Sequence, residues 1–258
     1  MRRAALALSL ATLPALAGQP LTYADGATRL AGYVASPAAS KGKVPGVVVI
    51  HQWMGLTDHE RTVSDDLAKL GYVALAADIY GEGVHPTTTA EAGKLAGSFK
   101  GDRALYRRRI AAAIETLKAQ KGVDGSRLAV IGFCFGGTGA LEAARAGLPV
   151  KGVVSFHGGL DAPAGYVPTP IAAKVLVCHG ADDPFVPAKD VAAFQDELRQ
   201  AKADYVFVAY AGAVHAFTQK EAGNDNSKGA AYNAAAHRRS WQHMQDFFQE
   251  IFQGAHLD

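Results

Sequence analysis

Ile131-Gly132-Phe133-Cys134-Phe135-Gly136-Gly137 joins an apolar, β-branched run to a stretch of small residues at helical spacing. Arg127 to Ile131 before it reads as a buried strand, and Gly136 to Ala146 after it as a helix. A chain that reverses this sharply has no room for side chains two positions either side of the apex, which explains glycine at 132 and 136. Such a turn pushes its apex side chain, here Cys134, out above the sheet. It also sets Cys134 at a helix N-terminus, where the dipole favours a thiolate. The Phe135 N–H points the same way and is a candidate donor to an oxyanion. The bland alternative is a buried structural cysteine in a tight turn.

Working outward, short apolar runs alternate with helical stretches. Val44 to Ile50, Tyr72 to Ile79, Val150 to Phe156, Val175 to Cys178 and Tyr205 to Tyr210 read as further strands. Asp58 to Leu70, Thr87 to Ser98, Asp102 to Gln120, Pro187 to Ala201 and Ala230 to Phe252 read as helices, the first stopped by Gly71 and the fourth opened by a first-turn proline. Thr22-Tyr23 and Leu30 to Val34 suggest an antiparallel hairpin at the start. The expected fold class is α/β: a mostly parallel central sheet flanked by helices on both faces. Sites in such sheets form beyond the carboxyl ends of the strands.

A nucleophile needs a base, and the base an orienting group. In chain order, nucleophile elbows are followed by an acid and then a histidine. Gly180-Ala-Asp-Asp-Pro-Phe-Val-Pro187 follows the strand ending at Cys178, and Ala211-Gly-Ala-Val-His-Ala-Phe217 follows the strand ending at Tyr210. Asp183 is the expected acid and His215 the expected base. Asp182 is the alternative acid, its bland role being to cap the turn before Pro184. A second oxyanion donor is expected from His51-Gln52-Trp53-Met54-Gly55, with the Trp53 N–H as candidate. Gln52, Trp53 and Phe217 are the expected substrate contacts, although Trp53 could equally serve packing alone.

The 258 residues suffice for one domain with a full hydrophobic core, and no linker or repeat divides residues 18–258. Lys and Arg number 26 against 24 Asp and Glu, a net charge of +2 that argues against a nucleic-acid partner. Arg107, Arg108 and Arg109 form the only dense basic run and read as a solvated helix face. Of the two cysteines, Cys178 lies in a strand pattern and reads as buried. Arg2-Arg3, the apolar segment Ala4 to Leu13 and Ala15-Leu16-Ala17 have the three parts of a secretory signal, too short to span a membrane. Residues 1–17 are therefore expected to be cleaved after Ala17, giving a periplasmic or secreted product without a membrane span.

Two other readings compete. His51, His85, His157, His179 and His215 mostly follow strands and, with a thiol, could bind zinc, but no pair has close ligand spacing. The bland role of His51, His157 and His179 is to hydrogen-bond loops around the site. A non-catalytic small-molecule binder that keeps the fold is the other.

Taken together, the His51 to Leu56 loop, Gly71-Tyr-Val-Ala-Leu-Ala-Ala-Asp-Ile-Tyr-Gly81, the cysteine elbow, Asp183 and His215 resemble the dienelactone hydrolase family over nearly all of residues 18–258. The resemblance implies an α/β-hydrolase fold, a Cys134–His215–Asp183 triad, hydrolysis of a carboxylic ester or lactone, and no metal or organic cofactor. The expected partner is a small ester or lactone, and the expected state a monomer. Two positions depart from the family pattern. Gln52 stands where the namesake enzymes carry a glutamate, and a glutamine cannot accept the thiol proton. No arginine directly follows His215, so Arg103 or Arg107 becomes the candidate for a substrate carboxylate.

Overall fold

The computed structural model describes residues 18–253. The proposed leader, residues 1–17, lies outside them. An eight-stranded sheet runs in the order β1-β2-β4-β3-β5-β6-β7-β8. The strands are β1 (Gln19–Asp25), β2 (Thr28–Ala35), β3 (Val44–Ile50), β4 (Val73–Ala77), β5 (Val123–Phe133), β6 (Gly152–Phe156), β7 (Lys174–Gly180) and β8 (Tyr205–Tyr210). β1 and β2 form the expected antiparallel hairpin, paired Tyr23 with Leu30, and β2 is antiparallel to β4. From β4 through β3 to β8 every pairing is parallel.

The continuous apolar runs are explained by burial on both faces. Successive residues of a strand point to opposite faces. Val48, Ile50, Leu128, Val130, Val153 and Val177 pack with α2 (Thr89–Gly101), α3 (Arg103–Lys118), α4 (Phe135–Arg145) and α5 (Ala188–Gln200). Their neighbours Val47, Val49, Ala129, Ile131, Val154 and Leu176 pack with α1 (Asp58–Lys69) and α6 (Ala234–Gln253). The amphipathic face of α6 brings Met244 and Phe248 under the sheet, each fully buried. Burial of a side chain such as Phe248 stabilises the fold by roughly 1.5–3 kcal/mol.

α6 begins at Ala234, four residues later than the sequence pattern suggests. The Asn233 side chain accepts the Ala236 N–H at 3.0 Å, which fixes the start there. The residues before it are drawn into the His215 loop: His215 N–H donates to Gly229 O, and Ala231 N–H to His215 O.

The arginine run does not form a solvated face. Arg108 is exposed, but Arg109 is buried against Asp25, and Arg107 reaches the fully buried Glu142. α3 covers the sheet at that turn, so two of the three guanidiniums point inward. No described helix is long and apolar enough to cross a membrane.

Candidate active site

β5 delivers the chain to Cys134 and α4 starts at the next residue. A Cβ on Gly132 would overlap the Gly136 backbone, and one on Gly136 would overlap the Ile50 carbonyl. The close approach of strand, helix and β3 thus requires both glycines. Cys134 itself sits at φ 53°, ψ −114°, an uncommon conformation that costs a non-glycine residue on the order of 1–3 kcal/mol. His157 (φ 40°) and Ala216 (φ 57°) share positive φ, so three of the four such non-glycine residues described cluster around this site.

The elbow is held from several sides. Cys134 N–H donates to Phe156 O at 3.0 Å and to His157 Nδ1 at 3.2 Å. His157 is fully buried, and its Nε2 lies 2.8 Å from Thr218 Oγ1. An Nδ1 that accepts leaves Nε2 to donate. Tyr106 stacks on Phe135 at 4.5 Å and donates its hydroxyl to Phe135 O.

Asp183 follows β7 and His215 follows β8. His215 Nδ1 lies 2.8 Å from Asp183 Oδ2, and the other carboxylate oxygen accepts Phe185 N–H at 2.9 Å. The imidazole and the Cys134 thiol border the same cavity. Asp182 turns elsewhere, accepting Gly212 N–H at 3.0 Å, which is a loop-tying role. Asp183, and not Asp182, is thus the partner of the histidine that shares the cavity with Cys134.

Burial pushes the Cys134 thiol up, but the hydrogen bond and charge of His215 outweigh it, helped by the Phe135 N–H and by Lys100, so the thiol lies below its usual 9.0. Burial pushes His215 down; Asp183 and Cys134 together outweigh it and raise it to about 10. Both shifts favour a thiolate–imidazolium pair. Cys178 is the opposite case: it is fully buried, and burial raises its thiol to about 12, which favours the protonated form.

Gln52 and Trp53 both line a cavity of about 1060 Å3 that reaches Cys134 and His215. The Gln52 carboxamide oxygen accepts the Gln219 side-chain N–H. Trp53 O accepts the Tyr80 hydroxyl at 2.8 Å, which fixes the loop carrying the Trp53 N–H. Phe185, an exposed large apolar side chain, stands at the rim against His215.

Two expectations need correction. Phe217 is fully buried between His157 and Tyr210 and lines neither cavity at Cys134; it supports the ring behind the elbow rather than a substrate. Arg103 and Arg107 are both bound to the buried Glu142, Arg103 also to Asp161, so they do not face the cavity. Two groups that matter here were not singled out. Glu60 is fully buried, accepts Gln52 N–H at 3.3 Å and closes a capping box with Thr57. Its signal, Thr57-x-x-Glu60, was legible. The other is Lys100, which borders a second compartment.

His51 and His157 hydrogen-bond the loops around the site, as expected of their bland role: Ile79 N–H donates to His51 Nε2, leaving Nδ1–H for Gln52 O. Among the described residues no three His, Cys, Asp or Glu side chains gather as a metal-binding group.

The sheet order, the strained cysteine elbow after β5, the acid after β7 and the histidine after β8 define an α/β-hydrolase. Residues 30–252 match the dienelactone hydrolase family. The chain belongs to that family. It is 33% identical to a protein of Bradyrhizobium sp. named as a probable 2-oxo-3-(5-oxofuran-2-ylidene)propanoate lactonase, over 75% of this chain and 80% of that one. Among solved structures, m3DLH superposes with a TM-score of 0.87 at 41% identity, covering 91% of this chain and 98% of that one. A dienelactone hydrolase-like promiscuous phosphotriesterase from metagenomic libraries superposes with a TM-score of 0.83 at 42% identity, with the same coverage.

Proposed function

We propose that this enzyme cleaves a carboxylic ester or lactone with Cys134 as nucleophile, His215 as acid–base and Asp183 as the group that orients His215. The observation that carries the reading is the hydrogen-bonded Asp183–His215 pair on the same cavity as Cys134, which sits at a strained elbow. The lactonase name of the Bradyrhizobium relative agrees with it.

In the first half-reaction the Cys134 sulfur attacks the acyl carbon, forming a C–S bond and a tetrahedral oxyanion. The N–H groups of Phe135 and Trp53 stabilise that oxygen. The oxyanion collapses, the C–O bond to the leaving alcohol breaks, and His215 donates its proton to the departing oxygen. A water then attacks the thioester while His215 takes its proton. Breaking of the C–S bond releases the acid and restores the thiolate–imidazolium pair. Asp183 keeps His215 in the tautomer that presents Nε2 to the sulfur.

Gln52 does not take part in these proton transfers, because a carboxamide does not ionise. Thiolate formation rests on His215 and on the helix N-terminus. Gln52 and Trp53 are instead proposed to contact the substrate. Cleavage after Ala17 and export are proposed as well, and N-terminal sequencing of the exported protein tests them; an intact Met1 there would overturn that part. A panel of aryl esters and lactones, assayed on wild type beside Cys134→Ala, tests the reaction. Activity confined to the wild type supports it, and equal activity in the variant refutes it.

A further inference from the structure

Glu60 stands in the first turn of α1, where it closes a capping box with Thr57. The same box opens α2, with Thr88 and Glu91. The two glutamates differ in the use of their second oxygen. Glu91 is exposed, and its Oε2 alone accepts the N–H groups of Thr87 and Thr88. Glu60 is fully buried, and its Oε2 likewise serves the cap, accepting the N–H and the hydroxyl of Thr57 at 2.8 Å each. Its Oε1 reaches eight residues back, to the Gln52 N–H at 3.3 Å. Capping does not call for that contact, as Glu91 shows. Burying a carboxylate is costly unless its oxygens are hydrogen-bonded, so the inward turn of Glu60 needs a second reason.

Gln52 opens the loop that carries the Trp53 N–H. Its carbonyl is held from the other side. It accepts His51 Nδ1–H at 2.6 Å and Gly55 N–H at 3.1 Å, the second bond closing a tight turn. His51 is itself fixed: Nε2 accepts Ile79 N–H, and the ring stacks on Phe135 with centroids 5.8 Å apart. Trp53 O accepts the Tyr80 hydroxyl. Of the backbone N–H and C=O groups of Gln52 and Trp53, only the Trp53 N–H is left without a partner among the described residues. The Gln52 carbonyl and the Trp53 N–H belong to one planar trans peptide, so a carbonyl held against buried His51 aims that N–H the opposite way. Glu60 fixes the preceding peptide. Gln52 is thus held on both sides and does not rotate.

We propose that Glu60 is a positioning residue for the oxyanion site: through the Gln52 N–H it locks, together with His51, the peptide whose Trp53 N–H meets the oxyanion. This rests on the reading of Cys134 as the nucleophile that takes the acyl group. A donor stabilises a developing charge best when it is already aimed, because no reorganisation is then needed as the charge forms. Glu60 borders neither cavity at Cys134, so it acts only through the loop. Its influence is confined to steps that build a tetrahedral oxygen. Displacement of iodide from an alkyl iodide by the same sulfur builds none.

The difference between the two reactions supplies the test. Glu60→Gln keeps the shape of the side chain and one acceptor oxygen, but its NH2 must face one of the N–H groups that the carboxylate accepts. Wild type and Glu60→Gln are compared in cleavage of an aryl acetate and in alkylation of Cys134 by iodoacetamide, the latter at a pH above each protein's own alkylation midpoint. Both half-reactions of cleavage pass through an oxyanion, so the loss falls on kcat. It should drop about tenfold with KM changed less than about twofold, short of the roughly 100- to 1000-fold of removing a donor outright. Alkylation should stay within about twofold of wild type, since its transition state carries no oxyanion. A trifluoromethyl ketone, whose carbonyl carbon bonds the sulfur while the oxygen takes the electron pair, should bind Glu60→Gln more weakly by the same factor as kcat/KM. Unchanged cleavage in Glu60→Gln would overturn the proposal. So would alkylation that falls in step with cleavage, the mark of a merely structural role. If wild type alkylates but cleaves no ester, the hydrolase reading falls, and the ketone affinity alone decides for or against Glu60.

Discussion

His157 Nδ1 accepts the backbone N–H of Cys134 at 3.2 Å, so a ring that follows β6 holds the apex of the elbow that ends β5. The same ring meets Thr218 through Nε2 and lies edge-on to His215 at 5.2 Å. One buried imidazole thus ties the nucleophile backbone to the loop that carries the base. Replacing it by alanine removes an acceptor, a donor and a packed ring. His157→Ala is expected to destabilise the protein by about 2–4 kcal/mol and to lower kcat more than it raises KM. Urea unfolding and steady-state kinetics read the two effects.

Burial holds both His51 and His157 below the usual 6.5, with the charge of His215 adding to the effect on His157. Such groups are neutral when folded and bind protons when unfolded. Their contribution to stability is present above pH 6.5 and is lost as pH falls below it. Unfolding free energy should therefore decline on acidification below pH 6.5, by up to about 1.4 kcal/mol per pH unit for each histidine. Urea titrations at several pH values follow this slope, and in His157→Phe the slope should be shallower.

The thiolate–imidazolium pair predicts the pH dependence of chemistry. Alkylation of Cys134 should reach half its maximum below pH 9.0, because His215 lowers the thiol. His215→Ala removes the neighbouring imidazolium, so the midpoint should rise and the rate at pH 7 fall at least tenfold. Hydrolysis should decline again near pH 10, where His215 loses the proton needed by the leaving group. Stopped-flow alkylation and a kcat/KM profile give the two limbs.

Gln52 offers a complementary test. A carboxylate at that position would face the same cavity as the sulfur. Gln52→Glu is expected to raise the alkylation midpoint by about one pH unit through repulsion of the thiolate. An unshifted midpoint would mean that residue 52 does not sense the nucleophile.

The buried ion cluster around Glu142 should be sensitive to loss of one partner. Glu142 is fully buried and receives Arg103, Arg107 and Arg145. Glu142→Gln leaves three guanidiniums short of a counter-charge and is expected to cost about 3–5 kcal/mol, read as a lower urea midpoint.

Much of this site was legible in the sequence because it lies in local patterns. The strand–turn–helix around Cys134 is dictated by glycines two residues either side, and Asp183 and His215 each follow an apolar run in the required order. What was not legible depends on which face of an element turns inward. The run Arg107 to Arg109 looks solvated until α3 is laid against Asp25 and Glu142. Phe217 looks like a cavity residue until the positive φ at Ala216 turns the chain back under His157. Lys100 is an ordinary helix-end lysine in sequence, and only the packing of α2 over the elbow brings it to Cys134.

The central claim is that Cys134 carries the acyl group. Wild-type protein mixed with a slowly hydrolysed aryl ester and quenched in acid should gain the mass of one acyl group, mapped by peptide mass spectrometry to Cys134. His215→Ala should gain it far more slowly, and Cys134→Ala not at all. Turnover in wild type with no adduct at Cys134, or an adduct of equal yield in Cys134→Ala, would contradict the account.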